Sequence, residues 1–348
     1  MFDISRVDTN FAIETKIDKA DIKFYKIDEF PFKVYGIFKE NGKYRRMPEN
    51  VAKSVSDGVY RLHSNTAGGR VRFVTDSAYI AIHAKMDGIG KMPNFALTGS
   101  AGFDLYADNY YVKTFFPPFD IEDGYESVIE FSKKDQREIT INFPLYSNVT
   151  ELYIGLEADA LLKEARPYKN TVPIVYYGSS ITQGGCASRP GMSYQAIVSR
   201  NFDYDYINLG FSGNAKAEDE MIEYIKSLDM SIFVYDYDHN APTVQHLENT
   251  HEKMFKAVRK QKPDLPIIMM SRPKKILTEE EKTRRAIIET TYQNALSVGD
   301  KNVYFIDGEA LTAFCEDAGT VDNCHPTDFG FTSMAKALTE VLRNIDCI

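Results

Sequence analysis

The chain has 348 residues, 43% of them hydrophobic and 26% charged, and carries a net charge of −9. That length allows two domains with buried cores, and an acidic, mixed-sign balance without a basic block argues against a nucleic-acid surface. Met1-Phe2-Asp3-Ile4-Ser5-Arg6 lacks the charged-then-apolar pattern of a signal peptide, and no apolar run nears membrane-spanning length, so a soluble cytoplasmic protein without a membrane partner is expected.

Residues 1 to about 165 read mostly as β. Short runs at 70–74, 79–84, 127–131, 138–143 and 152–156, separated by Gly, Asp and Pro turns, suggest an antiparallel sandwich. The one helical candidate in this half runs from Arg46 to Val55. A polar linker carrying Pro167 spans Glu164 to Thr171. The rhythm then changes. Strand-like runs at 172–177, 204–210, 231–236, 266–271 and 302–306 alternate with helical ones at 192–200, 216–227, 243–262, 278–297 and 328–345. Five βα repeats imply a parallel sheet with helices on both faces, a three-layer α/β sandwich. Thr278, with Glu281 three residues on, has the spacing of a capping box. Two domains are expected, 1–165 and 170–348.

The stretch from Tyr176 to Gly191 organises the second half. A buried strand ends in Gly178-Ser179-Ser180 and feeds a glycine-rich loop, which sets a hydroxyl at the carboxyl edge of the sheet, where open α/β sheets bind ligands. The loop is neither a P-loop, a dinucleotide turn nor a G-x-S-x-G elbow. Taken alone it could be a plain strand-to-helix turn.

The other strand ends carry Asn208-Leu209-Gly210-Phe211-Ser212-Gly213-Asn214, Asp236-Tyr237-Asp238-His239-Asn240 and, before the last helix, Asp322-Asn323-Cys324-His325-Pro326. A serine hydroxyl needs a base to take its proton, and histidine suits that work. Asp322 can hold the imidazole tautomer and stabilise imidazolium. The amides of Ser180 and Gly213 and the carboxamide of Asn240 are candidate oxyanion donors, each worth roughly 3–4 kcal/mol of barrier. Bland readings stand beside these: Gly213 as a turn glycine, and Asn240 as a cap of the helix starting near Thr243.

These four blocks resemble the SGNH (GDSL-type) hydrolase superfamily, with Ser180, Gly213, Asn240 and His325 on its four signature letters and Asp322-x-x-His325 on its D-x-x-H. Gly102-Phe103-Asp104-Leu105-Tyr106 is similar to the G-x-D-L-Y signature of an N-terminal β domain preceding some SGNH esterases. The resemblance implies a flavodoxin-like α/β/α domain with a five-stranded parallel sheet, preceded by a jelly-roll-like β-sandwich. It implies a serine esterase needing no metal or organic cofactor, with acetylated oligosaccharide as substrate. Two departures stand out. Ser179 occupies the place of the usual Asp before the nucleophile, and Asp238-His239-Asn240-Ala241 replaces the usual Gly-x-Asn-Asp.

Arg189 is expected either to bind substrate or to tie its loop to Asp205 or another carboxylate. His239 and Arg272 are further candidates for substrate contact. The cysteines at 186, 315, 324 and 347 have no C-x-x-C spacing, so neither a disulfide framework nor a zinc site is expected. The G-x-D-L-Y motif is read as an anchor, with Asp104 a hydrogen-bond acceptor. The N-terminal segment is expected to pack on the catalytic domain, shape its cleft or mediate a homo-oligomer. Non-carbohydrate acyl esters, or carbohydrate binding with weak hydrolysis, are the alternative functions.

Overall fold

The computed structural model describes residues 14–345; the opening hexapeptide Met1–Arg6 and Cys347 lie outside them. The chain forms two compact units. Of the described residues, one comprises 14–45, 64–167 and 189–191; the other comprises 46–63, 168–188 and 192–345.

The first unit is built from antiparallel strands. One sheet runs Ile22–Lys26, Asn148–Glu157, Tyr79–Gly88, Gly124–Glu130; the other has Leu162–Lys163, Arg70–Thr75, Arg137–Asn142, Phe103–Ala107 and Tyr110–Phe115 in order, with Lys33–Tyr35 also paired to Arg70–Thr75. Alternate residues point inward, as a pleated strand requires, and Ile80, Ile82, Leu152 and Ile154 of one sheet meet Phe73, Phe103, Leu105 and Ile141 of the other in a shared core. This is the β-sandwich expected from the short alternating runs.

The second unit is a parallel five-stranded sheet ordered Tyr204–Gly210, Asn170–Gly178, Ile232–Asp236, Ile267–Met270, Val303–Ile306. In chain order that is 2-1-3-4-5, the flavodoxin-like winding, whose ligands bind where the order reverses. The first strand shows why helices cover both faces. Tyr177 joins the core that includes Met254 and Phe255 of the helix Val244–Gln261. Its neighbour Tyr176 points the other way, edge-on to Tyr194 of the helix Tyr194–Phe202, which stacks in turn on Phe331 of the helix Asp328–Leu342.

Helix ends agree with the sequence where local chemistry fixes them. Thr278 and Glu281 make both bonds of a capping box at the start of Glu279–Ser297. The helix expected from Arg46 begins at Glu49 and is followed by a second, Asp57–Leu62. This segment belongs to the second unit, because Met47, Ala52, Val55 and Val59 are buried in that unit's core. A division at a linker near residue 165 is therefore crossed by 46–63 and by 189–191.

Candidate active site

The ends of the strands that carry the candidate residues lie side by side. Gly178 is in register with Gly210 on one side and Asp236 on the other. Just beyond Gly178, a single helical turn, Ser180–Gln183, is capped by the Ser179 hydroxyl, which accepts from the Ile181 amide at 3.2 Å. The serine at the family's usual aspartate position thus shapes the turn that presents Ser180.

Ser180 Oγ lies 2.9 Å from His325 Nε2. The other ring nitrogen, Nδ1, is 2.8 Å from Asp322 Oδ2. Asp322 Oδ1 accepts from the backbone amides of His325 (2.8 Å) and Cys324 (3.1 Å), so one carboxylate folds the loop and orients the imidazole. A hydroxyl, a base and a carboxylate in series form the arrangement that activates a serine for acyl transfer.

The Gly213 turn is closed by a bond from the Asn214 amide to Phe211 O at 2.8 Å. Gly213 has φ +69°, as the third residue of a type II turn requires, which is why glycine stands there. Three side chains hold this turn. Buried Gln183 accepts from the Ser212 amide at 3.0 Å, and the Asn214 amide group donates to Ser212 O at 2.6 Å. Asn240 Oδ1 accepts from the Ala215 amide at 3.3 Å. Asn240 does not cap the following helix; Thr243 does, accepting from the His246 amide. On the far side Gly58 leaves room for Asn214, whose Oδ1 would lie 1.8 Å from any Cβ at that position.

Beneath the turn that carries Ser180 sits a buried polar layer that the sequence reading missed. Gln195 and Asn208 both donate to Thr182 O, at 2.7 and 2.8 Å. Thr182 Oγ1 donates to Asp236, a wholly buried carboxyl that burial pushes up to about 8. Arg46 donates to the carbonyls of Asn208 (3.2 Å), Gly210 (2.6 Å) and Leu62 (2.7 Å), and its guanidinium lies 4.8 Å from the centre of the Phe211 ring. Asp328, opening the last helix, accepts from the Ser188 amide at 2.7 Å and from its hydroxyl. The only sequence signal for these residues was polarity within otherwise buried strands and turns.

The remaining candidates fall into place differently. Arg189 Nε lies 3.6 Å from Oδ2 of buried Asp104, and its guanidinium is 3.9 Å from the centre of the Tyr111 ring. The carboxylate it approaches is thus Asp104, while Asp205 Oδ1 accepts from the Tyr206 amide. Asp104 also accepts from Asn142 Nδ2 (2.7 Å) and the Gly191 amide (2.8 Å), the acceptor role expected of the G-x-D-L-Y motif. Arg272 Nη1 is 3.0 Å from Glu281, and its amide donates to Asp238. Burial first, then the negative charge of Asp322 and the neighbouring Cys324, pushes the Cys186 thiol up to about 12, so little thiolate is available there. Among the described residues no cluster of three or more His, Cys, Asp or Glu is arranged to hold a metal ion, and no helix is long and apolar enough to cross a membrane.

A doubly wound sheet with this site at its carboxyl edge has the architecture of a carboxylic ester hydrolase, and the comparisons agree. Residues 171–343 match the model of the GDSL-like lipase/acylhydrolase family, and residues 22–162 match the N-terminus of SGNH-hydrolase-type esterases, the G-x-D-L-Y domain. The chain belongs to the SGNH (GDSL-like) hydrolases, in the subgroup that carries that N-terminal domain.

Among solved structures, it is similar to a GDSL-like lipase from Bacteroides ovatus, with 28% identity over 93% of this chain and 97% of that one and a TM-score of 0.83. The salicylyl-acyltransferase SsfX3 from a tetracycline biosynthetic pathway is 17% identical, with 94% and 98% of the two chains covered and a TM-score of 0.74. An acetyl xylan esterase, Est2A, from the rumen bacterium Butyrivibrio proteoclasticus is 12% identical, with 93% and 98% covered and a TM-score of 0.61. The last two likenesses establish the fold alone. No curated protein matches the sequence significantly.

Proposed function

We propose that the chain is a serine esterase that removes small acyl groups, above all O-acetyl groups from oligosaccharides. The observation that carries this reading is the 2.9 Å contact between Ser180 Oγ and His325 Nε2, with Asp322 behind the ring. Ser180 attacks the ester carbonyl while His325 takes its proton, and Asp322 stabilises the imidazolium that forms. The Ser180 and Gly213 amides and the Asn240 carboxamide receive the oxyanion. His325 then returns the proton to the departing alcohol, leaving an acyl-Ser180, and activates water to release the acid.

The carbohydrate part rests on the likeness to the acetyl xylan esterase and on the polar lining of the cavity beside His239. A binding protein without hydrolysis would give no reason for the Ser180–His325–Asp322 series. The described cysteines, Cys186, Cys315 and Cys324, are free thiols, in keeping with a reducing compartment such as the cytoplasm.

The test is acetate release from acetylated manno- and xylo-oligosaccharides beside simple acetate, butyrate and octanoate esters. Preference for acetyl over the longer chains on a sugar is the expected result. Equal cleavage of all three acyl lengths, or cleavage of the simple esters alone, would remove the carbohydrate deacetylase reading and leave an esterase of non-carbohydrate acyl esters.

A further inference from the structure

A cavity of about 250 Å³ in the second unit is lined by Asp238, His239, Arg272, Thr278, Glu281 and Arg284, among others. It is smaller than the clefts of roughly 300–1,000 Å³ that take drug-sized ligands, and suits one small ring or polyol. Its walls are charged, yet Glu281 and the two arginines among them are already paired. Glu281 lies 3.0 Å from both Arg272 and Lys274. Arg284 donates to Glu280 and to the carbonyls of Asp238 and Ala241, at 2.8–3.0 Å. A ligand charge would have to break these pairs, whereas a neutral ligand would not.

His239 and Oδ1 of its neighbour Asp238 are the exceptions. The His239 side chain is 6% exposed, and neither ring nitrogen has a hydrogen-bond partner. Nε2 lies 3.3 Å from Asp238 Oδ1, but the pair lacks the alignment of a hydrogen bond, and Asp238 Oδ1 is itself unpartnered. A buried polar group left so costs about 1–3 kcal/mol, and such groups are rare enough to call for an explanation. Burial first, and then the positive charges of Arg272, Arg284 and Lys274, hold this imidazole well below its ordinary range. A neutral imidazole offers one N–H and one lone pair, the complement of a hydroxyl, which accepts and donates.

The place of His239 fixes which part of the ester it would meet. It adjoins Asn240 and follows the strand Ile232–Asp236, whose last residue is in register with Gly178, two residues before Ser180, so it stands at the sheet edge that carries the Ser180–His325 contact. The departing alcohol oxygen must come to His325 to be protonated, so whatever the alcohol carries extends beside that ring.

We propose that His239 is a specificity-determining residue that hydrogen-bonds a second hydroxyl of the alcohol moiety, making the cavity a subsite for a polyol or sugar ring. This rests on the esterase reading above, and its test is built to fail separately from it.

The kinetic test compares glycerol monoacetate with propyl acetate, which share an acetyl group and differ in the neighbouring hydroxyls. In the wild type kcat/KM favours the glycerol ester. In His239→Ala that ratio falls about ten- to a hundredfold, mainly through KM, and His239→Gln, which keeps a donor and an acceptor, recovers part of it. Equal loss on both substrates at an unchanged melting temperature, or an unchanged ratio, overturns the proposal. So does a wild type that hydrolyses propyl acetate without favouring the glycerol ester, an outcome that leaves the esterase intact.

A binding readout needs no turnover. In Ser180→Ala, the His239 ring resonances are expected to shift on titration with methyl β-xyloside or glycerol. Unmoved resonances at saturating polyol contradict the proposal whatever the enzyme hydrolyses.

Discussion

Asn240 Oδ1 accepts a hydrogen bond from the Ala215 amide at 3.3 Å, which orients the Nδ2 proposed as an oxyanion donor. The bond also ties the third strand's loop to the turn carrying Gly213, so two proposed oxyanion donors are held in one frame. Replacing Asn240 by Ala is expected to lower kcat by about 10²- to 10³-fold with a smaller change in KM. Asn240→Asp keeps the acceptor for Ala215 and so the melting temperature, while losing the donor and the same activity or more. Full activity in Asn240→Asp would remove the residue from the oxyanion site.

Asp322 serves two partners with its two oxygens, the imidazole through Oδ2 and the loop amides through Oδ1. Asp322→Asn can preserve the second set but offers an N–H to His325 Nδ1, favouring the wrong tautomer. A fall in kcat of about 10²- to 10⁴-fold on an activated acetate ester is expected, with an intact fold by circular dichroism. A loss smaller than tenfold would show that His325 works without its carboxylate.

Asp236 ties a measurable pH effect to the layer below Ser180. Burial chiefly raises its carboxyl to about 8; the Thr182 hydroxyl opposes this and Asp238 adds to it. The folded chain therefore holds a proton that the unfolded chain releases above about pH 4, so this stability is full below that point and is lost as pH rises toward 8. Asp236→Asn, neutral at every pH, is expected to show a smaller fall in melting temperature between about pH 5 and pH 8 than the wild type. An identical fall in both proteins would mean that Asp236 is ionised in the fold.

Much of this was legible because the signals were local. Parallel strands buried on both faces read as unbroken runs such as Ile232–Asp236, and the Thr278–Glu281 box marks its helix start within four residues. The order of Ser180, Gly213, Asn240 and His325 along the βα repeats makes them candidates for one sheet edge, and the contact between Ser180 and His325 joins two of them. What escaped was long-range. Nothing local to Arg46 foretells its bonds to Asn208 and Gly210, and the Arg189–Asp104 approach joins residues far apart in sequence. Gln183, Asn208 and Asp236 looked like ordinary polar positions because their partners are backbone groups and hydroxyls that only the fold brings near.

The central claim is that Ser180 carries the acyl group, and one comparison tests it most directly: kcat/KM for acetate release by the wild type and by Ser180→Ala, at equal melting temperature. The account predicts a loss of about 10⁴-fold or more, since the base, the oxyanion donors and the cavity act through that one oxygen. Activity retained within tenfold would contradict it and would require another nucleophile or a directly activated water.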